Sequence, residues 1–162
     1  MNYALAAHFW PKPLFMSDHP PLHKQETPYS CGPACLRMVL DSYGIIKTEE
    51  ELRALSDCTH FGGTDAYLLV EAARHLGLGK TRKYSMGFSD LRQELERGMF
   101  PIVYIRTRLS EDGPPQLHAV VVVETRLETI LVHDPWRGEH LFSKDEFVDE
   151  WSESHGLTIV IE

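Results

Sequence analysis

Apolar residues recur at helical spacing along the first half of the chain. The strongest pattern predicts a helix over about residues 32–43, in which Pro33 suits an early position and Gly44 follows the last turn. The apolar face of this helix consists of Leu36, Val39, Leu40 and Tyr43. An amphipathic helix that packs one face on a core is therefore expected here.

Three shorter helices are predicted to follow. Thr48 begins the first, because Thr48 and Glu51 have the spacing of a capping box. The second follows the glycine-containing turn at 62–64 and ends at Gly77, and Ser89 caps the third. The first half of the chain is therefore expected to be mainly helical.

The pattern changes to that of strands after Gly98, where β-branched residues cluster in short runs. A helix over 143–151 interrupts these runs. Four strands are predicted, over residues 102–105, 119–123, 129–132 and 158–161. Helices that precede strands with short connections indicate an α+β fold, with a helical N-terminal half packed on a C-terminal antiparallel sheet.

Length and charge narrow the classes of function. A chain of 162 residues with 43% hydrophobic residues is expected to form one folded domain. The net charge is −8 and the sixteen Lys and Arg residues are scattered, so nucleic acid is not an expected partner. The longest apolar run, 119–123, is far shorter than the roughly twenty residues that cross a bilayer, so no membrane span is expected.

The first residues and the cysteines bear on location and on cofactors. Residues 1–15 have no basic start and contain two early prolines, which disfavours a secretory signal and predicts a cytoplasmic protein. Three cysteines without a repeated Cys-x-x-Cys pair indicate neither a disulfide framework nor a zinc site. We therefore expect a free thiol and no metal or other cofactor.

Residues 1–24 are rich in proline and lack a helical or alternating period, which predicts an extended arm ahead of a domain over 25–162. The aromatic residues of this arm are Phe9, Trp10 and Phe15. Three alternatives stay open for the arm. It lies across the functional site, docks on a neighbouring subunit to give a homo-oligomer, or is a terminus without a role.

The first candidate for chemistry is Cys31, directly before the first predicted helix. Unpaired backbone N–H groups and the helix dipole stabilise a thiolate there, which lowers the thiol pKa and makes the sulfur nucleophilic. A buried cysteine without chemistry is the more common explanation for any single cysteine. Cys35 is the rival nucleophile, but it lies a full turn inside the helix, so Cys31 is preferred.

A base and an orienting carboxylate are expected from the strands. His118 begins one apolar strand and Asp134 follows the next, so a hairpin brings their side chains together. A strand-end histidine and an Asp-Pro turn are the more common explanations for each residue alone. His133 is the competing base, but neighbours in an extended segment point to opposite faces, so His133 and Asp134 do not address the same cleft.

Gln25 completes the set, because a side-chain amide six residues before Cys31 can donate to the oxyanion that forms when a thiolate attacks a carbonyl. Taken alone, Gln25 is an ordinary surface residue. The occurrence of all four residues in this chain order is much less expected by chance than any one of them. The four are Gln25, Cys31, His118 and Asp134.

Three segments, Gln25–Gly44, His118–Val122 and His133–Pro135, resemble the bacteriocin-processing (C39) peptidases, a family with the papain-like fold. The resemblance extends over about residues 25–151. One departure is Ser30, since members fused to export transporters often carry an acidic residue just before the cysteine.

The resemblance implies a role for each of the four residues. Gln25 matches the oxyanion residue, Cys31 the nucleophile, His118 the base and Asp134 the third member. It also implies hydrolysis of a peptide bond through a thioester acyl-enzyme, with a leader peptide cut after small residues such as Gly-Gly. Two alternatives stay open on the same fold: a module that binds peptides without cutting them, and an acyl or peptidyl transferase.

Overall fold

A computed structural model describes residues 19–162. Its helices are α1 (Cys31–Ser42), α2 (Glu49–Leu55), α3 (Ala66–His75), α4 (Phe88–Glu96) and α5 (Lys144–Ser152). Its strands are β1 (Arg82–Ser85), β2 (Ile102–Thr107), β3 (Gln116–Thr125), β4 (Thr129–Asp134), β5 (Gly138–Ser143) and β6 (Leu157–Val160). The strands form one antiparallel sheet in the order β1-β6-β2-β3-β4-β5, which confirms the predicted α+β class. Within this described part of the chain, no helix has the length and apolar character needed to cross a membrane.

Both faces of the central strands are buried. On one face, α1, α2 and α3 form a core with alternate residues of β3, among them Ala119 and Val121. On the other face, Phe147 of α5 and residues of α4 form a second core with Val120 and Val122. The unbroken apolar run in β3 follows from this arrangement, because each of its residues meets a core whichever way it points.

The start of α4 differs from the prediction that Ser89 caps it, which is wrong. The helix begins at Phe88, and Gly87 is its N-cap. The Asp90 carboxylate accepts a hydrogen bond from the Gly87 N–H at 3.1 Å, so it satisfies a backbone group that the helix itself leaves unpaired. Ser89 therefore lies inside the first turn, where it is exposed.

The sequence pattern does not predict the two edge strands. All four residues of β1 are exposed, and the strand is held by pairing with β6. At the opposite edge, β5 alternates between buried and exposed residues only in part and pairs with β4. Edge strands need no continuous apolar face, so they lack the signal from which the inner strands are recognised.

Residues 19–24 are the described part of the predicted arm, and they contact β4, the turn after it and, through His23 and Asp41, helix α1. The ring of His19 packs edge-on against the ring of His133, with centroids 6.1 Å apart. Further along, the Lys24 ammonium donates to the carbonyl oxygen of Trp136. Residues 1–18 lie outside the described residues, so the expectations for the arm remain predictions.

Gly156, between α5 and β6, generates a prediction about stability. Its φ is +68°. A Cβ there would lie 2.2 Å from the carbonyl oxygen of Met86. The two residues are held close together because the Met86 N–H donates to the Gly156 carbonyl at 3.0 Å. We predict that Gly156→Ala lowers the free energy of unfolding by about 3 kcal/mol or more, because it adds a backbone clash to an unfavourable φ. Urea denaturation followed by circular dichroism measures the loss.

The matched control is Gly44→Ala. Gly44 has a similar φ of +74°, but a Cβ there meets no atom within 4 Å. It should cost only about 1–2 kcal/mol, the penalty of the left-handed conformation alone. Equal losses for the two variants would contradict the importance of the close approach to Met86.

Candidate active site

Cys31 is the first residue of α1, and the residue is partly exposed. The sulfur has hydrogen-bonding contacts with the His118 side chain and with the backbone N–H groups of Ala119 and Gly32. Burial by itself raises the pKa of the Cys31 thiol, but the hydrogen bond and charge of His118 and the two N–H groups outweigh it. The pKa of Cys31 is therefore lowered from its ordinary value.

His118 and Asp134 form a buried pair, with exposed fractions of 2% and 0%. His118 Nε2 lies 2.7 Å from Asp134 Oδ1, which leaves Nδ1 as the ring nitrogen for the Cys31 sulfur. The pair forms because β3 and β4 are antiparallel, with Val121 opposite His133, so both side chains lie at the same end of the hairpin. His118 is the third residue of β3, two positions later than the start of the strand.

The Asp134 carboxylate is surrounded by donors. Besides His118, Oδ1 accepts from the backbone N–H groups of Trp136 at 2.7 Å and Arg137 at 3.1 Å. The Arg137 guanidinium donates to Oδ2 at 2.6 Å. Burial alone would raise the pKa of Asp134, but the bond and charge of His118, then Arg137 and the Trp136 N–H, hold it well below its usual range.

Asp134 and Cys31 together determine the protonation state of His118. Burial alone would lower the pKa of His118, but its hydrogen bonds with Asp134 and Cys31, and the charges of both partners, raise it to about 9. The histidine is therefore protonated at neutral pH. A lowered thiol pKa beside a protonated imidazole favours a thiolate–imidazolium pair, which is a reactive form of a cysteine nucleophile.

Gln25 lies on a loop that is tied to the end of β4. Its backbone N–H donates to the Pro135 carbonyl at 2.9 Å, so the loop is held beside the residue that follows Asp134. The side-chain Nε2 donates to the Thr27 carbonyl at 2.8 Å. Since an amide NH₂ has two hydrogens, one remains for a second acceptor.

The rival residues have other surroundings. The His133 ring is not among the hydrogen-bond donors to the Asp134 carboxylate; its Nε2 lies 3.7 Å from Glu139, and burial lowers the pKa of His133. Cys35 is fully buried within α1, and burial raises its pKa well above the ordinary value. Cys58 is half-buried with its thiol directed at the Tyr29 carbonyl, and burial raises its pKa as well. Of the three cysteines, only Cys31 thus combines partial exposure with a lowered pKa.

The sequence pattern does not indicate two residues that support the site, Arg137 and Glu49. Arg137 contacts Asp134 three residues later, and its position in the turn after the Asp-Pro pair was the only available signal. Glu49 is a fully buried carboxylate behind the Gln25 loop, but in the sequence it is one of several acidic residues in a helical first turn. Among residues 19–162, no three His, Cys, Asp or Glu side chains are grouped so as to hold a metal ion.

Comparisons with known proteins identify the family of the chain. The sequence model of the Peptidase C39 family matches residues 19–161. The chain is 29% identical over 128 residues to the lactococcin-G-processing and transport ATP-binding protein LagD of Lactococcus lactis subsp. lactis. The match covers 79% of this chain but only 17% of the length of that relative.

Solved structures show the same fold. The peptidase domain of Streptococcus ComA, a bifunctional ABC transporter involved in quorum sensing, is 29% identical with a TM-score of 0.72, covering 87% of this chain and 96% of that domain. A double glycine motif protease from an AMS/PCAT transporter, solved in complex with the leader peptide, is 22% identical with a TM-score of 0.72, covering 88% and 91%. The predicted papain-like peptidase fold is confirmed, and this chain belongs to the Peptidase C39 family.

Proposed function

We propose that this chain is a cysteine peptidase in which the Cys31 thiolate attacks the carbonyl carbon of a peptide bond. The observation that carries the proposal is the continuous contact from Cys31 through His118 to the buried Asp134 carboxylate. Family membership supports a peptidase role. The three side chains supply a nucleophile, a proton donor and acceptor, and a group that orients the imidazole.

The reaction follows from the charges of the pair. Attack by the thiolate forms the C–S bond and an oxyanion, which the Gln25 amide and a backbone N–H near Cys31 stabilise. The His118 imidazolium then donates its proton to the leaving nitrogen as the C–N bond breaks, which leaves a thioester on Cys31. Water, deprotonated by the now neutral His118, attacks the thioester and releases the acid, and the thiolate–imidazolium pair is restored.

Asp134 acts on His118 and does not itself exchange a proton. Its pKa is held far below neutral, so it stays ionised and accepts the His118 Nε2–H throughout. Arg137 and the two backbone N–H groups fix the carboxylate in turn. The orientation of the imidazole is therefore set by a group that is itself immobilised.

We infer that the substrate is a peptide cut after small residues, in the manner of a double-glycine leader. Two relatives support this inference: one processes lactococcin G by name, and one is a double glycine motif protease solved with the leader peptide. The test is incubation of the purified chain with peptides that carry a Gly-Gly pair, with cleavage located by mass spectrometry. A chain that binds these peptides without cleaving them would be a peptide-binding module.

The same experiment separates hydrolysis from transfer. A thioester that water releases gives a free carboxylate, whereas a transferase gives an amide when a primary amine is added. We expect the carboxylate to remain the main product at millimolar amine. An amide as the main product would replace the peptidase with an acyl or peptidyl transferase.

The first prediction for the site concerns the nucleophile. At pH 7, iodoacetamide should label Cys31 at least about tenfold faster than Cys35 or Cys58, because the thiolate fraction and access determine the rate. Tryptic peptide 25–37 contains both Cys31 and Cys35, and its fragment ions distinguish them. Preferential labelling of Cys35 would contradict the assignment.

The second prediction concerns the base. His118→Ala should lower kcat by about 10²–10⁴-fold, the usual contribution of a positioned proton donor. His133→Ala is the matched control, since it removes a buried histidine of the same hairpin whose ring pairs with Glu139 and not with the Asp134 carboxylate. It should retain most of the activity. Loss of activity in both variants with equal loss of stability would point to folding and not to catalysis.

The third prediction concerns pH. The pKa of His118 is raised to about 9, so kcat/KM should fall above pH 9 as the imidazolium loses its proton, and also below the pKa of Cys31. Protonation of His118 stabilises the folded state fully below the ordinary histidine pKa, and this contribution is lost as pH rises through about 9. Asp134→Asn removes a charge that raises the pKa of His118, so the alkaline limb should move to lower pH. An unmoved limb in this variant would contradict the coupling.

A further inference from the structure

Glu49 is a fully buried carboxylate behind the loop that carries Gln25. Acidic side chains are almost never fully buried unless they are paired. The partners of Glu49 lie mainly on that loop. The Glu26 N–H donates to both carboxylate oxygens, at 3.1 and 2.9 Å, and the Ser30 hydroxyl donates to Oε1 at 2.6 Å. Arg53 Nε, one turn further along α2, lies 3.6 Å from Oε1.

These contacts continue to the Gln25 side chain. The Ser30 hydroxyl oxygen accepts from the Thr27 N–H at 3.2 Å and from the Thr27 hydroxyl at 2.6 Å. The Thr27 carbonyl accepts from Gln25 Nε2 at 2.8 Å. A chain of hydrogen bonds therefore runs from the Glu49 carboxylate through Ser30 and Thr27 to the Gln25 amide.

The contact with the Thr27 carbonyl determines the orientation of the Gln25 side-chain amide. A carbonyl oxygen accepts hydrogens only, so Nε2 and not Oε1 of Gln25 must face it, and the second Nε2 hydrogen has a defined direction. The Gln25 backbone is held independently by the Pro135 carbonyl at 2.9 Å. The Gln25 N–H thus anchors the loop to Pro135, directly after the strand of Asp134. The hydrogen bonds through Thr27 and Ser30 anchor it to Glu49.

The helix does not need Glu49 for its own stability. The first turn of α2 is already completed by a capping box, in which Thr48 Oγ1 accepts from the Glu51 N–H at 3.1 Å and Glu51 accepts from the Thr48 N–H at 2.8 Å. Glu50 is exposed in the same turn and has the same effect on the helix dipole. The burial of the Glu49 carboxylate is therefore explained by its hydrogen bonds to the Gln25 loop.

We propose that Glu49 is a positioning residue that holds the Gln25 amide in the orientation needed for oxyanion stabilisation. This inference rests on the proposed function, since it assigns Gln25 to the oxyanion. Glu49 does not touch the reacting atoms. It acts through the Glu26 N–H, next to Gln25, and through Ser30 and Thr27.

Two reactions of Cys31 test the proposal, and neither needs the natural peptide. Acylation by p-nitrophenyl acetate passes through an oxyanion, whereas alkylation by iodoacetamide does not. Glu49→Gln keeps the volume but removes the charge that binds Glu26 and Ser30. We expect it to slow acylation about tenfold, a fraction of the 10²–10³ for loss of an oxyanion donor, and to change alkylation by less than about twofold.

A double variant identifies the path of the effect. If Glu49 acts through Gln25, then Gln25→Ala/Glu49→Gln should acylate no more slowly than Gln25→Ala alone. Ser30→Ala breaks the relay without changing a charge, and it should slow acylation less than Glu49→Gln with alkylation again unchanged. This variant keeps the test decisive if Glu49→Gln fails to fold.

Glu50→Gln is the matched control, because it removes the same charge from the same helical turn at an exposed position. It should acylate at the rate of the unaltered chain. Equal acylation by Glu49→Gln and the unaltered chain would overturn the proposal. So would a parallel loss of acylation and alkylation, or a double variant slower by the product of the single effects. Acylation without cleavage of any peptide would instead reject the peptidase function and leave the role of Glu49 standing.

Discussion

The buried contact between His118 and Asp134 is the interaction on which the rest of the site depends. A carboxylate with 0% exposure is tolerated because four donors reach it, from His118, Trp136 and Arg137. Its charge keeps His118 protonated, and the protonated ring in turn lowers the pKa of Cys31. The pKa of the Cys31 thiol thus depends on Asp134 through the imidazole between them.

The sheet that carries His118 and Asp134 is buried on both faces, and this burial holds their contact in place. The first residue of α1 carries the sulfur, and α1 packs on one face of β3. Phe147 of α5 and its neighbours cover the other face, on which Val120 and Val122 lie. Cys31 and His118 are therefore held by elements that have little freedom to move apart, which is the condition for a positioned nucleophile and base.

The loop before α1, residues 25–30, has no regular backbone pairing of its own. It is held at two points by hydrogen bonds, from the Gln25 N–H to Pro135 and from the Glu26 N–H to Glu49. One partner follows the strand of Asp134, and the other lies on α2. The loop therefore joins α2 to the end of β4 directly before Cys31 and α1.

The sequence by itself determined the elements that depend on neighbouring residues. Helical spacing predicted α1, the capping box predicted the start of α2, and apolar runs predicted the inner strands β2, β3 and β4. Cys31 at a helix start and the order of His118 and Asp134 in a hairpin were also sufficient to select three candidate residues. Local propensity and side-chain periodicity act over a few residues, so they are visible in the sequence.

Only the tertiary structure decided the contacts between distant parts of the chain. Glu49 on the Gln25 loop has no periodic signal, because its partner Glu26 lies 23 residues away in the chain and meets it only after packing has brought the elements together. Arg137 is close to Asp134 in the chain, but the turn that places it on the carboxylate has no periodic signal either. The edge strands β1 and β5 exist because neighbouring strands offer unpaired backbone groups, and not because of their own pattern. The tertiary structure also determines the pKa values of His118 and Cys31, since the neighbours that folding brings to these groups outweigh the effect of their burial.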